Sequence, residues 1–590
     1  MDMDRRNRIA QWAFDTRAIL GRFHLWLEDV EEEWLRGGVR PGEPMSFAGT
    51  SLEASFVMTA AVTALGTRLF GRFGEGKGLD KAGFNRVKKD ADAVSAYAMS
   101  EALWYLTRAL PENHALMVSL GEGLMPKVGE TPEMGSNPLL GFGRVYARPQ
   151  VARFLDRRVH RLINDPSYGW DGFWADLQNA GIVVWGAAID TLENTSRFAK
   201  GSPTGPMAVL HVFDQPLKVS LPYEGYMGTL VLPRAVVTAA AERSLLVDFF
   251  TPRDKVLEAI RFTYPGVAPE RVHVWTLGGK AREPRIGSLW QEWRQLGVHV
   301  VEDGWVMPTG HEAFTESGTY APAFMVGPFT DANGAQHLFL VDGYAASAEA
   351  IQAASLDPVL DTVTSMALFT PKFDVSWERE REIMRLDPAD PAFAARLGAV
   401  LGGEVSEITA QEYADILRHA RAACMWFPKR SVTVEDFFPK KEWDPLALVG
   451  CMLPDPYTGS DGVEQLEDGV YRVTTLAGSR KGLRRVAFTL RLMETLEESR
   501  LVFSPLLDRF YAGQDYRTRP VKISDSGRIR NELQTWCSEG LEYLPDDRIR
   551  VHFERVDDAV LPPAKKAFIA EVLAWYKANH PIWFRWLELA

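Results

Sequence analysis

Ser244-Leu245-Leu246-Val247-Asp248-Phe249-Phe250 is an apolar run with a carboxylate near its end, and the Thr251-Pro252-Arg253-Asp254 turn after it opens a helical stretch from Lys255 to Phe262. The same rhythm then repeats. Arg271-Val272-His273-Val274-Trp275 meets the loop Thr276-Leu277-Gly278-Gly279-Lys280-Ala281-Arg282, followed by a helical pattern near 285–296. Val298-His299-Val300-Val301 ends in Glu302-Asp303-Gly304, and Leu338-Phe339-Leu340-Val341 ends in Asp342-Gly343. Short apolar runs separated by helix-length periodic segments predict βαβ units with a largely parallel sheet.

Working outward, the 590 residues exceed what one core supports, and the fold class expected is a multi-domain α/β protein. Residues 1–200 read as a mainly helical domain, with helices at about 5–36, 50–70, 90–110, 148–164 and 170–195. The break Gly201-Ser202-Pro203-Thr204-Gly205-Pro206 begins a central α/β domain over 201–365. A helical and irregular connecting region follows over 366–465. A second α/β unit over 466–590 is read as strand 469–475, helix 483–498, short strands near 501–504 and 520–524, a helix from Arg528, strand 549–555 and helix 563–579. Pro581-Ile582-Trp583-Phe584-Arg585-Trp586-Leu587 is too apolar for a free tail and is expected to dock in a groove of this chain or of a second copy.

The formal charge of −12 lacks the electrostatic footprint of a general nucleic-acid binder. Ala54 to Thr67 is apolar but too short to span a bilayer. Three separated cysteines, Cys424, Cys451 and Cys537, form neither a CxxC pair nor a disulfide framework. With no signal-peptide pattern after Met1, they lead us to expect a cytoplasmic protein. The chain contains no Walker A loop, no GxGxxG after a strand, no HExxH and no GxSxG.

Two loops stand out as anion cradles. Gly278, Gly279, Lys280 and Arg282 sit between a predicted strand and helix. Gly478, Arg480 and Lys481 sit in the related run Thr475-Leu476-Ala477-Gly478-Ser479-Arg480-Lys481-Gly482. Glycine permits close backbone approach, the following helix offers free N–H groups, and the bases add charge; surface turns with solvated bases are the plainer reading of both. Asp214, Asp248, Asp303 and Asp342 fall near C-terminal strand ends, where open α/β sheets take ligands. Convergent carboxylates there would need a hard cation such as Mg2+, so Asp248, Asp303 and Asp342 are candidate metal ligands and Asp303 and Asp342 candidate catalytic residues; turn and helix caps are the alternative. His211, His273, His299 and His337 stand near strand starts, on the opposite edge, and read as structural. The leading expectation is an enzyme on a small phosphorylated or other anionic metabolite, by Mg2+-assisted phosphoryl transfer or hydrolysis. The alternative is a non-catalytic, self-assembling scaffold or ligand-binding protein. A homo-oligomer is expected in both cases.

Overall fold

In the computed structural model the described residues are 23–37, 52–121, 143–165, 167–202, 205–216, 226–276, 283–302, 305–307, 320–368, 385–411, 413–414, 431–433, 446–450, 462–479, 482–492, 506–513, 515–518, 523–544 and 548–590, with isolated positions elsewhere. They form a mixed α/β architecture with three sheets.

The first sheet has nine strands and draws on distant parts of the chain. Its edge strand Leu25–Gly37 pairs antiparallel with Gly482–Leu492. The order then continues through Val470–Ser479, Leu446–Gly450, Met207–Phe213, Val183–Glu193, His114–Gly121 and Val145–Ala147. Residues 1–200 are therefore not only helical. Leu25–Gly37 was expected to be helix, because its apolar residues also suit a 3.6 period and Glu favours helices. In the sheet Leu25, Leu27 and Val30 turn inward, while Glu28, Glu31 and Glu33 meet Arg491, Arg472 and Arg485 on neighbouring strands. The expected helix 170–195 stops at Ala180, where Gly181 takes φ 62°, and β-branched residues then continue as the strand Val183–Glu193. The strands of this one sheet come from all four stretches delimited by sequence, so the sheet crosses the boundaries between them.

Helices Leu52–Phe70 and Lys81–Ala109 cover one face of this sheet. The first is buried almost all round. Its inner hydroxyls are satisfied locally: Thr59, Thr63 and Thr67 donate to the carbonyls of Ser55, Thr59 and Thr63 at 2.7–2.8 Å. Arg484 in the sheet reaches up to Glu53 at 2.6 Å and lies over the Trp34 ring, neutralising a buried carboxylate at the helix start.

The second sheet runs Ser431–Val432, Thr362–Leu368, Tyr226–Pro233, Gln336–Ala346, Val272–Trp275, His299–Val300, with Gly327–Thr330 paired to Gln336–Ala346. It is mixed rather than largely parallel. Only Gln336–Ala346, Val272–Trp275 and His299–Val300 run parallel, and the other pairings are antiparallel. Strand alternation separates its faces. Leu338 and Leu340 join helices Arg234–Ala241, Arg253–Thr263 and Glu283–Gln295 in one core, while Phe339 and Val341 join Trp275, Val301 and Val326 in another. The helix Ser347–Ser355 touches strands of both sheets and fuses them into one body.

The expected strand 244–250 is instead a turn. Ser244 has φ 61°, and the Asp248 carboxylate accepts from the Phe250 amide at 2.8 Å and from the Thr251 hydroxyl at 3.2 Å. A further core is built by helices Leu506–Tyr511, Ile523–Trp536 and Pro563–Asn579 around the strands Leu541–Tyr543, Ile549–Val551 and Leu587–Leu589. The aromatic terminus docks here on its own chain. Phe584, Trp586 and Leu587 are buried, and Leu587–Leu589 pairs parallel with Ile549–Val551. Of the other short strands expected in this unit, 501–504 and 520–522 lie outside the described residues, and Ile523 begins a helix.

Candidate functional site

The C-terminal end of Val272–Trp275 lies beside the middle of Gln336–Ala346, with Val341 opposite Trp275; the longer strand runs on to Ala346 against Tyr226–Pro233, so Asp342 is inside the strand and not at the strand end expected from sequence. One residue further along its strand, Asp342 is fully buried. Arg253, at the first turn of its helix and 5% exposed, meets Asp342 two-pronged: Nε donates to Oδ2 at 2.6 Å and Nη2 to Oδ1 at 2.8 Å. The Trp293 indole N–H adds a third donor to Oδ2 at 2.6 Å. The other guanidinium nitrogen, Nη1, donates to the carbonyls of Phe249 and Thr251, so Arg253 also ties down the turn that holds Asp248. Glu292 accepts the Arg253 backbone N–H at 3.1 Å, satisfying a free donor at that helix start. The last described residue before the Gly278-Gly279 loop, Thr276, is buried and accepts from the Trp290 indole at 3.0 Å.

This arrangement treats the sequence candidates unequally. Asp342 spends both oxygens on Arg253 and Trp293 and serves as a counter-ion. Asp248 caps a turn. Asp214 is exposed and follows a strand of the other sheet, so the four aspartates do not share one strand edge. Asp303, Gly278, Gly279, Lys280, Arg282, Arg480 and Lys481 lie outside the described residues. Among the described residues no group of three or more His, Cys, Asp or Glu side chains is arranged to hold a metal ion.

The second loop is not a strand-to-helix cradle. The segment 482–492, expected as part of a helix, is a strand whose Val486, Phe488 and Leu490 are buried. Ser479 pairs with Gly482, and Gly478 pairs with Leu483 inside the ladder. The strand Val470–Ser479 is thus followed by the antiparallel strand Gly482–Leu492 and not by a helix.

In the sequence Asp342 stands far from its partner. The available signal was that an acid in Leu338-Phe339-Leu340-Val341-Asp342 must be buried and so needs a cation; nothing local singles out Arg253, 89 residues away. The sequence also leaves the strand-start histidines unconnected. Three of them, His273, His299 and His337, are in hydrogen-bond contact, while His211 sits alone in the first sheet against the Ser355 hydroxyl at 2.5 Å. Complete burial pushes His211 down to about 3.

No protein-family model matches this chain, and no curated protein matches it. Among the described residues no helix is long and apolar enough to cross a membrane.

Proposed function

We propose that the chain is an enzyme binding a small phosphorylated or otherwise anionic metabolite at the C-terminal edge of the parallel strands in the second sheet. The observation that carries this reading is the buried Arg253–Asp342 pair at that edge. Taking two charges out of water is costly, and such pairs are retained where a precise local geometry is needed. Here the pair fixes the turn 248–251 and the middle of Gln336–Ala346 beside the C-terminal end of Val272–Trp275, and open α/β sheets receive ligands at such strand ends.

In this reading Lys280 and Arg282 contact the anion, Gly278 and Gly279 admit it closely, and Asp303 is the acid–base or Mg2+-binding carboxylate. Asp342 contributes by neutralising Arg253, and phosphoryl transfer or hydrolysis would not use it as a metal ligand. The scaffold alternative is weakened by the aromatic terminus, which is spent on the chain's own core.

The experiment is a thermal-shift screen of phosphorylated metabolites and carboxylates with and without Mg2+, on the full chain and on Lys280→Ala/Arg282→Ala. A ligand that binds only the native state raises its melting temperature. We expect a stabilising ligand whose effect vanishes in the double variant. An unchanged effect there removes the loop from the site, and a screen without any stabilising anion favours the scaffold.

A further inference from the structure

At the N-terminal ends of the same parallel strands, His299, His273 and His337 stand in file. His299 is directly opposite His273 in the strand register, and His337 precedes Phe339, the partner of His273 on the other side, by two positions, so all three rings share one face. His299 Nδ1 lies 2.8 Å from His273 Nδ1, and His273 Nε2 lies 2.8 Å from His337 Nδ1. His337 Nε2 faces Asp331 Oδ2 at 3.5 Å. Trp305 and Phe329 cover the central ring, at 4.8 and 5.7 Å between centroids, and close it off from water.

A neutral imidazole has one N–H and one bare nitrogen, and a carboxylate only accepts. Asp331 is an ionised end: the amides of Ala335 and Asn333 donate to it and hold its carboxyl below the usual range. His337 must then carry its proton on Nε2 and accept at Nδ1, so His273 donates from Nε2 and accepts at Nδ1, and His299 donates from Nδ1. The one bare nitrogen left is His299 Nε2, on the half-exposed ring at the far end. We propose that this file is a proton relay, with His299 Nε2 as a general base for a weakly acidic O–H or N–H group and the partly exposed Asp331 as the point at which the proton passes to water. A proton arriving at His299 Nε2 displaces the one on Nδ1 to His273, which passes its Nε2 proton to His337, whose own Nε2 proton leaves by way of Asp331 to water, returning Asp331 to its ionised form. Each ring ends neutral in its other tautomer, and one proton has moved across the file.

The remaining charges near the file fit this direction. Burial lowers the pKa of His299, and Glu302, which is 3.5 Å from Arg294, partly offsets this, while Glu270 and Arg271 sit on the turn that touches strands 299–300 and 336–346. Burial, and then the two neighbouring imidazoles, push His273 down to about 3, so the middle ring conducts a proton without storing it.

The test uses full-length protein labelled with 15N in its eleven histidines, in the wild type and in Asp331→Asn, with His211 as the reference signal for an intact fold. At neutral pH the relay requires His299 in the Nδ1–H tautomer and rapid solvent exchange of the His273 Nε2 proton despite burial. Asp331→Asn should mix the His299 tautomers, two rings away, and measurably slow that exchange, because the amide no longer accepts the His337 Nε2 proton. In a His273→Leu background, or His273→Gln if the first does not fold, Asp331→Asn should leave His299 unchanged. A His299 tautomer or a His273 exchange rate indifferent to Asp331→Asn overturns the relay, as does an equal response with His273 removed. None of these outcomes depends on whether the opposite edge binds an anion.

Discussion

Asp342→Asn separates a carboxylate that does chemistry from one that holds a charge. In the wild type Asp342 is fully buried and accepts two bonds from Arg253, at 2.6 and 2.8 Å, and one from Trp293 at 2.6 Å. Asparagine keeps the shape but removes the negative charge and turns an N–H2 group towards donors. Arg253, only 5% exposed, is then an uncompensated buried cation. Breaking one side of such a pair costs about 3–5 kcal/mol. Arg253→Met/Asp342→Leu removes both charges and should lose less than Asp342→Asn alone, its main penalty being the carbonyls of Phe249 and Thr251 left without the Arg253 donor. The assay is urea unfolding followed by tryptophan fluorescence, since Trp293 belongs to the cluster. An Asp342→Asn variant within about 1 kcal/mol of the wild type, far under the penalty for a stranded buried charge, would refute the counter-ion role.

Other outcomes follow from the same physical terms. His211 has its folded pKa depressed to about 3, so its contribution is intact above the unfolded value and is lost as pH falls below it; at pH 5 the loss is about 2 kcal/mol relative to pH 8. The gap in unfolding free energy between those pH values should shrink by that amount in His211→Gln, and an unchanged gap contradicts the assignment. Deleting residues 581–590 removes Phe584, Trp586 and Leu587 from a core, at about 1.5–3 kcal/mol each, together with the pairing to Ile549–Val551. Limited proteolysis should then cut within 506–580, and a protease-resistant truncated chain would speak against it. Burial pushes the Cys537 thiol up to about 12, so iodoacetamide at pH 8 should label it only after denaturation, as read by mass spectrometry; rapid labelling of the native protein would show the thiol to be accessible.

The sequence by itself determined the elements whose amphipathicity is local. Pro149–Asn164 and Pro563–Asn579 carry their apolar stripes within their own turns, and both were legible, as was the docking of Trp586 and Leu587. It also placed the histidines at strand starts, whereas Asp342, expected at a strand end, lies inside Gln336–Ala346 because that strand is prolonged by pairing with Tyr226–Pro233. Tertiary structure alone decided that Leu25–Gly37 is a strand, because it finds its hydrogen-bond and charge partners more than 400 residues away: Glu31 with Arg472, Glu33 with Arg485 and Glu28 with Arg491. It likewise joined Arg253 to Asp342 across 89 residues, and His273 to His299 and His337 across 26 and 64. A helix closes its hydrogen bonds four residues away, so its pattern is written in the local sequence. A sheet and a buried polar cluster close theirs between segments that only the folded chain brings together.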